Sequence, residues 1–429
     1  LWLHCGGLKD ARAYHVGRFI LDFFPKGIGF GDLPDAAQLI DPPAGLPRAA
    51  VAAFSIDDIT TTEIDDAFSV TRQPDGSYQV GIHIAAPGLG FQPDSRADQL
   101  ARARLSTVYM PGDKFTMLPD AIVDAFSLDE GRDCPALSLY LTVAGDGSYR
   151  ILSTDTRVDS VPIVKNLRYP ILDDQLTDDV IAAGGGDFPF AGELCFLHGL
   201  ASALWEARGK GEMDKTDFLF YVDRDGEGGE ERVRIQPRRR GAPSDRIVSE
   251  LMIYVNSTWG ALLGDRDVHA LFRVQDGVGK VRMSLYPAPH LSLGVPQYLW
   301  SSSPLRRYID LVNQWQLIAI AYGETPPFDG RDQDLMAIMR DVEVTTPGYD
   351  DFQRCMERYY SLRFFQQEGL EETTAVVVKE RDSLVRFERV PIWQRVHSLP
   401  ELPVGTVVTL KLSRIDLFDL SLHCEYRAP

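Results

Sequence analysis

Residues 56–66 read IDDITTTEIDD, where an apolar run, AAVAAFSI, empties into a segment holding Asp57, Asp58, Glu63, Asp65 and Asp66. Carboxylates packed this densely raise one another's pKa unless a cation neutralises them. Asp57 ends a predicted strand and the other acids follow in a Thr-rich loop, so backbone turns can bring several carboxylates to one point. Hard oxygen donors of this kind suit magnesium, with manganese as the substitute. The spacing is not that of a helix-flanked calcium loop, because the sixth position lacks Gly and the twelfth lacks Glu. Magnesium is commonly held by carboxylates together with substrate phosphates, so the segment points to phosphoryl chemistry. Two such ions about 3.5 to 4 Å apart would stabilise the attacking and leaving oxygens of an in-line displacement. A solvated acidic turn is the other reading of the same loop.

A second constellation is SSSPLRRYIDL, residues 301–311, which puts Arg306 and Arg307 in the first turn of a helix predicted over 304–322. Guanidinium forks beside free helix N–H groups favour a phosphate. A salt bridge between Arg306 and Asp310 is the alternative. Glu250 shares a helical face with Ile247, Leu251 and Val255, so a buried carboxylate there needs a partner or a ligand. Arg238, Arg239 and Arg240 can track a phosphate backbone or lie in a solvated loop.

The elements that must position these residues fall into three stretches. Residues 1–48 hold one amphipathic helix, 10–24, with Asp10 as N-cap and Pro25 as stop, followed by a Gly- and Pro-rich linker. Residues 49–370 carry strands at AAVAAFSI, DAFSVTRQ, SYQVGIHIA, PALSLYLTV and SYRILST, which predict a mixed sheet. Within the same stretch a hairpin is predicted around GEGGEE, with helices over 186–208, 245–264, 304–322 and 349–369. Residues 371–429 return to short strands, which suggests a small oligonucleotide-binding barrel. The class expected is therefore α/β (α+β) with a C-terminal all-β module.

Composition excludes little. With 44% hydrophobic residues and 25% charged, the chain can bury a substantial core, and no apolar run reaches the length of a membrane span. The opening residues, LWLHCGGLKD, lack the regions of a signal peptide and no Met begins them, so the expectation is a soluble segment of a longer gene product. Cys5, Cys134, Cys195, Cys355 and Cys424 show no CxxC spacing, which argues for reduced thiols in a cytoplasm. A net charge of −18 speaks against nonspecific nucleic-acid binding by the whole surface. A basic channel inside an acidic exterior remains open, and Arg outnumbers Lys among the basic residues.

IDDITTTEIDDA, STVYMPGDKFTMLP and SSSPLRRYIDL, in that order, resemble the three signature blocks of the ribonuclease II (RNB) family, with SELMIYVN and HLSLGVPQY as further matches. The resemblance covers about residues 50–370. It implies a hydrolytic, magnesium-dependent 3′-to-5′ exoribonuclease that takes single-stranded RNA with a 3′ end and releases nucleoside 5′-monophosphates. The implied metal-holding residues are Asp57, Glu63, Asp65 and Asp66, with Glu63 where the family usually has Asp; Asp65 and Arg306 would serve catalysis. Tyr109 and Phe220 would clamp the terminal bases, Tyr169 and Glu250 would read the ribose, and Glu357 matches a Glu of the last helix. An aromatic in a strand-rich region is also ordinary core. Departures include Ala86, where the family has an acid, and Gln314-Trp315 in place of His-Arg. The expected partner is RNA, with no membrane, and the chain is expected to be a monomer. Residues 1–48 leave no room for paired cold-shock barrels, from which a wider channel entrance and access to structured RNA are expected. A catalytically inactive RNA-binding protein of the same fold, and a calcium-stabilised structural protein, are the competing readings.

Overall fold

The computed structural model describes residues 7–31, 39–41, 43–209, 216–224, 231–277 and 280–428; Cys5 lies outside the described residues. Helix α1 (Ala11–Phe23) begins where Asp10 accepts a hydrogen bond from the Ala13 N–H at 2.7 Å. Next come strands β1 (Ala53–Asp57), β2 (Asp66–Arg72) and β3 (Tyr78–Ala85), helix α2 (Arg96–Arg104), the small hairpin β4 (Val108–Met110) and β5 (Asp113–Phe115), and helix α3 (Asp120–Phe126). The long strands β6 (Arg132–Val143) and β7 (Ile151–Arg168) complete a closed barrel in the order β1-β2-β3-β6-β7. All of its pairs are antiparallel except β1 with β7, so the mixed sheet expected from the turn chemistry closes on itself.

Alternation divides the barrel residues between two faces. One carries Phe54, Phe68, Ile82, Ile84, Leu137 and Leu139 against helices α6 (Ala191–Arg208) and α7 (Pro243–Gly264), which follow the short helices α4 (Tyr169–Gln175) and α5 (Asp178–Ala183). The other buries His83 between the Ser69 and Ser138 hydroxyls, at 2.9 and 2.8 Å, and Ser138 donates to Asp159. Burial pushes the His83 pKa down to about 3, so the ring is a neutral structural member.

Hairpin β8 (Thr216–Asp223) and β9 (Arg232–Arg239) precedes α7; the small pair β10 (Phe272–Val274) and β11 (Arg282–Ser284) follows it, and then helices α8 (Tyr308–Tyr322) and α9 (Asp332–Gln367). Two predicted boundaries move. The helix expected from residue 304 starts at Tyr308, because residues 304–306 form a turn that long-range hydrogen bonds hold. The helix expected from 349 starts at Asp332 and runs through Pro347. A proline inside a helix costs about 3 kcal/mol. The helix continues because both sides of that proline are buried: Leu335, Ile338 and Val342 enter the core beneath the barrel, whereas Tyr349, Phe352, Met356 and Tyr360 enter a second core. Gly348 admits α1 there, since a Cβ at this position would lie 2.2 Å from the Phe23 ring.

The second core joins α1, the end of α9, the β8–β9 hairpin and the C-terminal strands. Phe19 of α1 stacks on Phe352 at 3.9 Å between centroids. Strands β12 (Glu372–Lys379), β13 (Leu384–Phe387), β14 (Trp393–Arg395), β15 (Val407–Asp416) and β16 (Ser421–Arg427) form an antiparallel sheet in the order β14-β13-β12-β15-β16. This is an oligonucleotide-binding-like half-barrel, in keeping with the fold class read from the sequence. No helix among the described residues is long and apolar enough to cross a membrane.

The β4–β5 turn meets the β8–β9 hairpin at Gly112, where φ is +70° and an added Cβ would sit 2.5 Å from Val222 Cβ. Gly131 has a similar φ of +81° but open space around it. Both Gly→Ala variants bear the left-handed backbone cost of about 1 kcal/mol, and Gly112→Ala bears an overpacking cost of about 1–3 kcal/mol besides. Urea unfolding is expected to rank Gly112→Ala as clearly the less stable; equal losses would contradict the contact.

Candidate active site

The acidic segment is the connection between two neighbouring barrel strands. β1 delivers Asp57 at its last position and β2 starts with Asp66, so pairing of the strands draws both ends of the loop together. Asp65 is 2% exposed and accepts two hydrogen bonds, from the Leu305 N–H and from Arg306 Nε, each at 2.9 Å. Glu63, 3% exposed, accepts from Thr107 Oγ1 at 2.9 Å, from the Tyr109 hydroxyl at 3.2 Å and from Lys114 Nζ at 2.5 Å. Asp58 turns back on its own loop and accepts from the Thr60 N–H and hydroxyl. Asp57 Oδ2 and Asp66 Oδ2 are buried with no hydrogen-bond partner.

Burial accordingly pushes the Asp57 pKa up to about 6, against the opposing pull of the Ser55 hydroxyl and of Arg168 and Arg306. Asp65 is pushed up to about 7 by burial, although Arg306 and the Leu305 N–H hold it back. Asp66 rises furthest from the carboxylate range, through burial and then the charges of Asp57 and Asp65. Two orphaned carboxylate oxygens with raised affinity for a proton are equally a place for a cation. Among the described residues no group of three or more His, Cys, Asp or Glu side chains is placed to hold a metal ion by itself. A magnesium-type ion needs none, because it keeps waters and shares its coordination with substrate phosphates. The residues present fit such an ion through Asp57 and Asp66. Glu63, expected among the metal-holding residues, accepts from Thr107, Tyr109 and Lys114.

Arg306 is set by contacts from three directions. Asn256 of α7 accepts from the Ser301 N–H at 3.0 Å and hydroxyl at 2.7 Å; Asp310 of α8 accepts from the Ser303 N–H at 2.9 Å; Asp65 holds Leu305. The Arg306 carbonyl accepts the Thr107 N–H at 2.9 Å. The arginine therefore precedes α8 rather than lying in its first turn, and its partner is Asp65 rather than Asp310. Asp310, fully buried, takes both ends of Arg307 at 2.9 and 2.6 Å. The Arg306 side chain keeps 38% of its surface exposed, facing the cleft. Carboxylate partners push its pKa up despite burial, so it stays a cation.

The cleft has a volume of about 1540 Å³. The acids, Arg306, the β4–β5 and β8–β9 hairpins, the end of α9 and Arg389, in the connection between β13 and β14, all line it. Tyr109, Tyr169 and Phe220 all line it. Tyr169 carries the Arg238 guanidinium 4.5 Å above its ring. Phe220, with Phe218 and Val222, packs against the second core. Alternation turns the neighbouring Tyr221 to the other face, where Arg234 lies 4.8 Å from its ring and the charge of Asp58 adds to burial in raising its pKa. Tyr221, like Phe218 and Phe364, is a cleft aromatic that sequence reasoning missed. For Tyr221 the only available signal was strand parity, and FLFYV is apolar at nearly every position.

The family described as RNB domain matches residues 49–284 and 277–323. The chain belongs to that family. Exoribonuclease 2 of Edwardsiella piscicida is 28% identical over 342 residues, 65% of this chain and 51% of that protein. This RNB chain spans about half the length of the curated relatives it matches. Among solved structures, RNase R of Mycoplasma genitalium in complex with ribose-methylated single-stranded RNA superposes with a TM-score of 0.72 at 16% identity, over 92% of this chain and 73% of that one. Yeast Ssd1, described as a pseudonuclease, gives 0.62 at 16% identity, over 90% and 54%. At these identities the likeness is one of fold.

Two expected RNA-reading residues of the RNB chain stand apart from the cleft lining. Glu250, 4% exposed, forms a two-point ion pair with Arg208, one contact being 2.9 Å, so the partner its burial demands is a side chain of α6. Glu357 lies on α9 and accepts from Gln353 at 3.0 Å. Of the family departures, Gln314 and Trp315 are structural. Gln314 bonds the Ala85 carbonyl and the Gly88 N–H, and Trp315 donates to the Gly88 and Phe91 carbonyls, which fixes the turn after Ala86. Arg238 is spent on Asp173 and Asp245.

Removing one partner of a buried pair strands the other charge at about 3–5 kcal/mol. Arg208→Met is expected to lower the free energy of urea unfolding by that amount. A loss below about 1 kcal/mol, the range of a solvated surface pair, would show Glu250 free to serve a ligand.

Proposed function

We propose that this chain is the catalytic part of a hydrolytic, metal-dependent 3′-to-5′ exoribonuclease that shortens single-stranded RNA to nucleoside 5′-monophosphates in the cytoplasm. The observation that carries the reading is the pair of orphaned oxygens of Asp57 and Asp66 beside an exposed Arg306 in an aromatic-lined cleft. A relative named exoribonuclease 2 and the likeness to an RNase R solved with single-stranded RNA lend support. The four described cysteines are free, in keeping with a reducing compartment.

Asp57 and Asp66 would hold a magnesium or manganese ion, which when bound lowers the pKa of water and offsets charge on a phosphoryl oxygen. Asp65 fixes Arg306 through Nε and the Ser303 hydroxyl accepts from its Nη2 at 3.1 Å, which orients a side chain that lines the cleft, where charge on the scissile phosphate would develop. The burial of Asp65 keeps that orientation rigid. Tyr221, Tyr109 and Tyr169 offer ring surfaces to successive bases, and stacking of this kind tolerates any sequence. The arginines 232, 234 and 389 along the cleft supply positive charge for the backbone inside a chain of net charge −18.

A second reading, a catalytically silent RNA-binding protein, is favoured by one feature of this chain, that Glu63 is tied to Lys114; a protein of similar fold is described as a pseudonuclease. A 5′-labelled single-stranded RNA incubated with the protein decides between the two. The exonuclease reading predicts a shortening ladder in magnesium, its loss in chelator, and a fall of about 10²-fold or more in Asp66→Asn with RNA affinity nearly unchanged. Tight binding without shortening, in magnesium and in manganese, would establish the silent protein.

For binding itself, Tyr221→Ala is expected to weaken affinity for single-stranded RNA by about 1–3 kcal/mol in a titration by fluorescence anisotropy. Phe220→Ala is expected to lower stability with little change in affinity, because its ring packs on the second core. The reverse pattern would assign the stacking face to Phe220.

A further inference from the structure

The geometry points to Lys114 as a built-in cation that serves Glu63 in place of a second metal, so that the site takes one divalent ion, held by Asp57 and Asp66. This rests on the proposed reading of the acidic loop as a metal centre, and concerns how many ions that centre holds.

The inference follows from how each buried carboxylate is satisfied. Asp65 is bonded to Arg306 at 2.9 Å and Glu63 to Lys114 at 2.5 Å. Among the carboxylates of the described residues, Asp57 and Asp66 alone retain a buried oxygen without a donor. Two uncompensated carboxylates match the charge of one divalent ion. The Glu63 carboxylate, by contrast, already has a donor on each oxygen: Thr107 on Oε1, and Tyr109 with the Lys114 cation on Oε2.

The lysine arrives there by construction rather than by chance of rotamer. In the β4–β5 hairpin Tyr109 is paired opposite Lys114, so both side chains leave the same face and both reach Glu63 Oε2. Lys114 also donates to Thr62 Oγ1 at 2.7 Å, and its side chain is 24% exposed while that of Glu63 is 1% exposed. Glutamate is one methylene longer than aspartate, and that extra reach carries the carboxylate toward the hairpin. Glu63 and Lys114 are thus a matched pair. A buried carboxylate next to Asp65 would otherwise require an ion, and here an ammonium group meets that requirement.

Manganese binding to the full chain, free of RNA, tests the inference without any turnover: isothermal titration, with free manganese counted by electron paramagnetic resonance. The wild-type protein is expected to bind one Mn2+. Lys114→Gln, which removes the charge and keeps a donor, is expected to bind a second Mn2+, whereas Lys114→Arg stays at one. Glu63→Gln, which needs no cation beside it, is expected to keep the single ion with affinity within about threefold, since Glu63 is not its ligand; this variant also serves if Lys114→Gln fails to fold. Two ions on the wild type, a single ion on folded Lys114→Gln, or a tenfold loss of affinity in Glu63→Gln would each overturn the inference while leaving the metal centre standing. No bound ion on the wild type would overturn the inference and the metal-centre reading together.

Discussion

Asp65 bonds to Leu305 and Arg306, and through these contacts the barrel and the helical half of the domain share one site. The carboxylate belongs to a loop between two barrel strands; its donors belong to a turn some 240 residues later. A buried carboxylate without donors is costly, and a guanidinium near it without a counter-charge is equally so, so each segment is held in place by the need of the other. Asp57 and Asp66 flank that contact along the strands, and Thr107 of the chain leading into β4 bonds both Glu63 and the Arg306 carbonyl.

The arrangement separates two tasks that a dense acidic loop would otherwise confuse. Glu63 and Asp65 are given fixed cations by the protein itself and so become part of the scaffold. Asp57 and Asp66 are left short of donors and can answer to something that comes and goes. Electrostatic strain concentrated at two oxygens, within a wall otherwise well satisfied, is what a binding site for a small cation requires, and it explains why the loop can sit at the end of well-packed strands. Lys114 is the cation that Glu63 meets in this wall.

Much of this was legible in the sequence. Five acids after an apolar strand raise an electrostatic question whatever the fold, and the strands and their turns carried enough alternation to mark a mixed sheet, though not its closure into a barrel. What could not be read depended on contacts between distant segments. Pro304 looks like the start of a helix, yet residues 304–306 are shaped by Asp65, and the neighbouring residues by Asn256 and Asp310, so α8 begins only at Tyr308. Pro347 looks like a break, yet two separate cores hold the two halves of α9 in line. Glu250 sits on an apolar face with no local partner, and Arg208 lies 42 positions away on another helix. Phe220 and Tyr221 differ only in which side of one strand meets the C-terminal sheet, and nothing within FLFYV decides that.

Buried carboxylate oxygens without a donor are confined, in this site, to Asp57 and Asp66. Anomalous scattering from crystals of the full chain grown with manganese shows whether an ion goes there. A single strong peak is expected within bonding distance of Asp57 Oδ2 and Asp66 Oδ2, with Glu63 still paired to Lys114. A peak coordinated by Glu63, with Lys114 swung away, would contradict it.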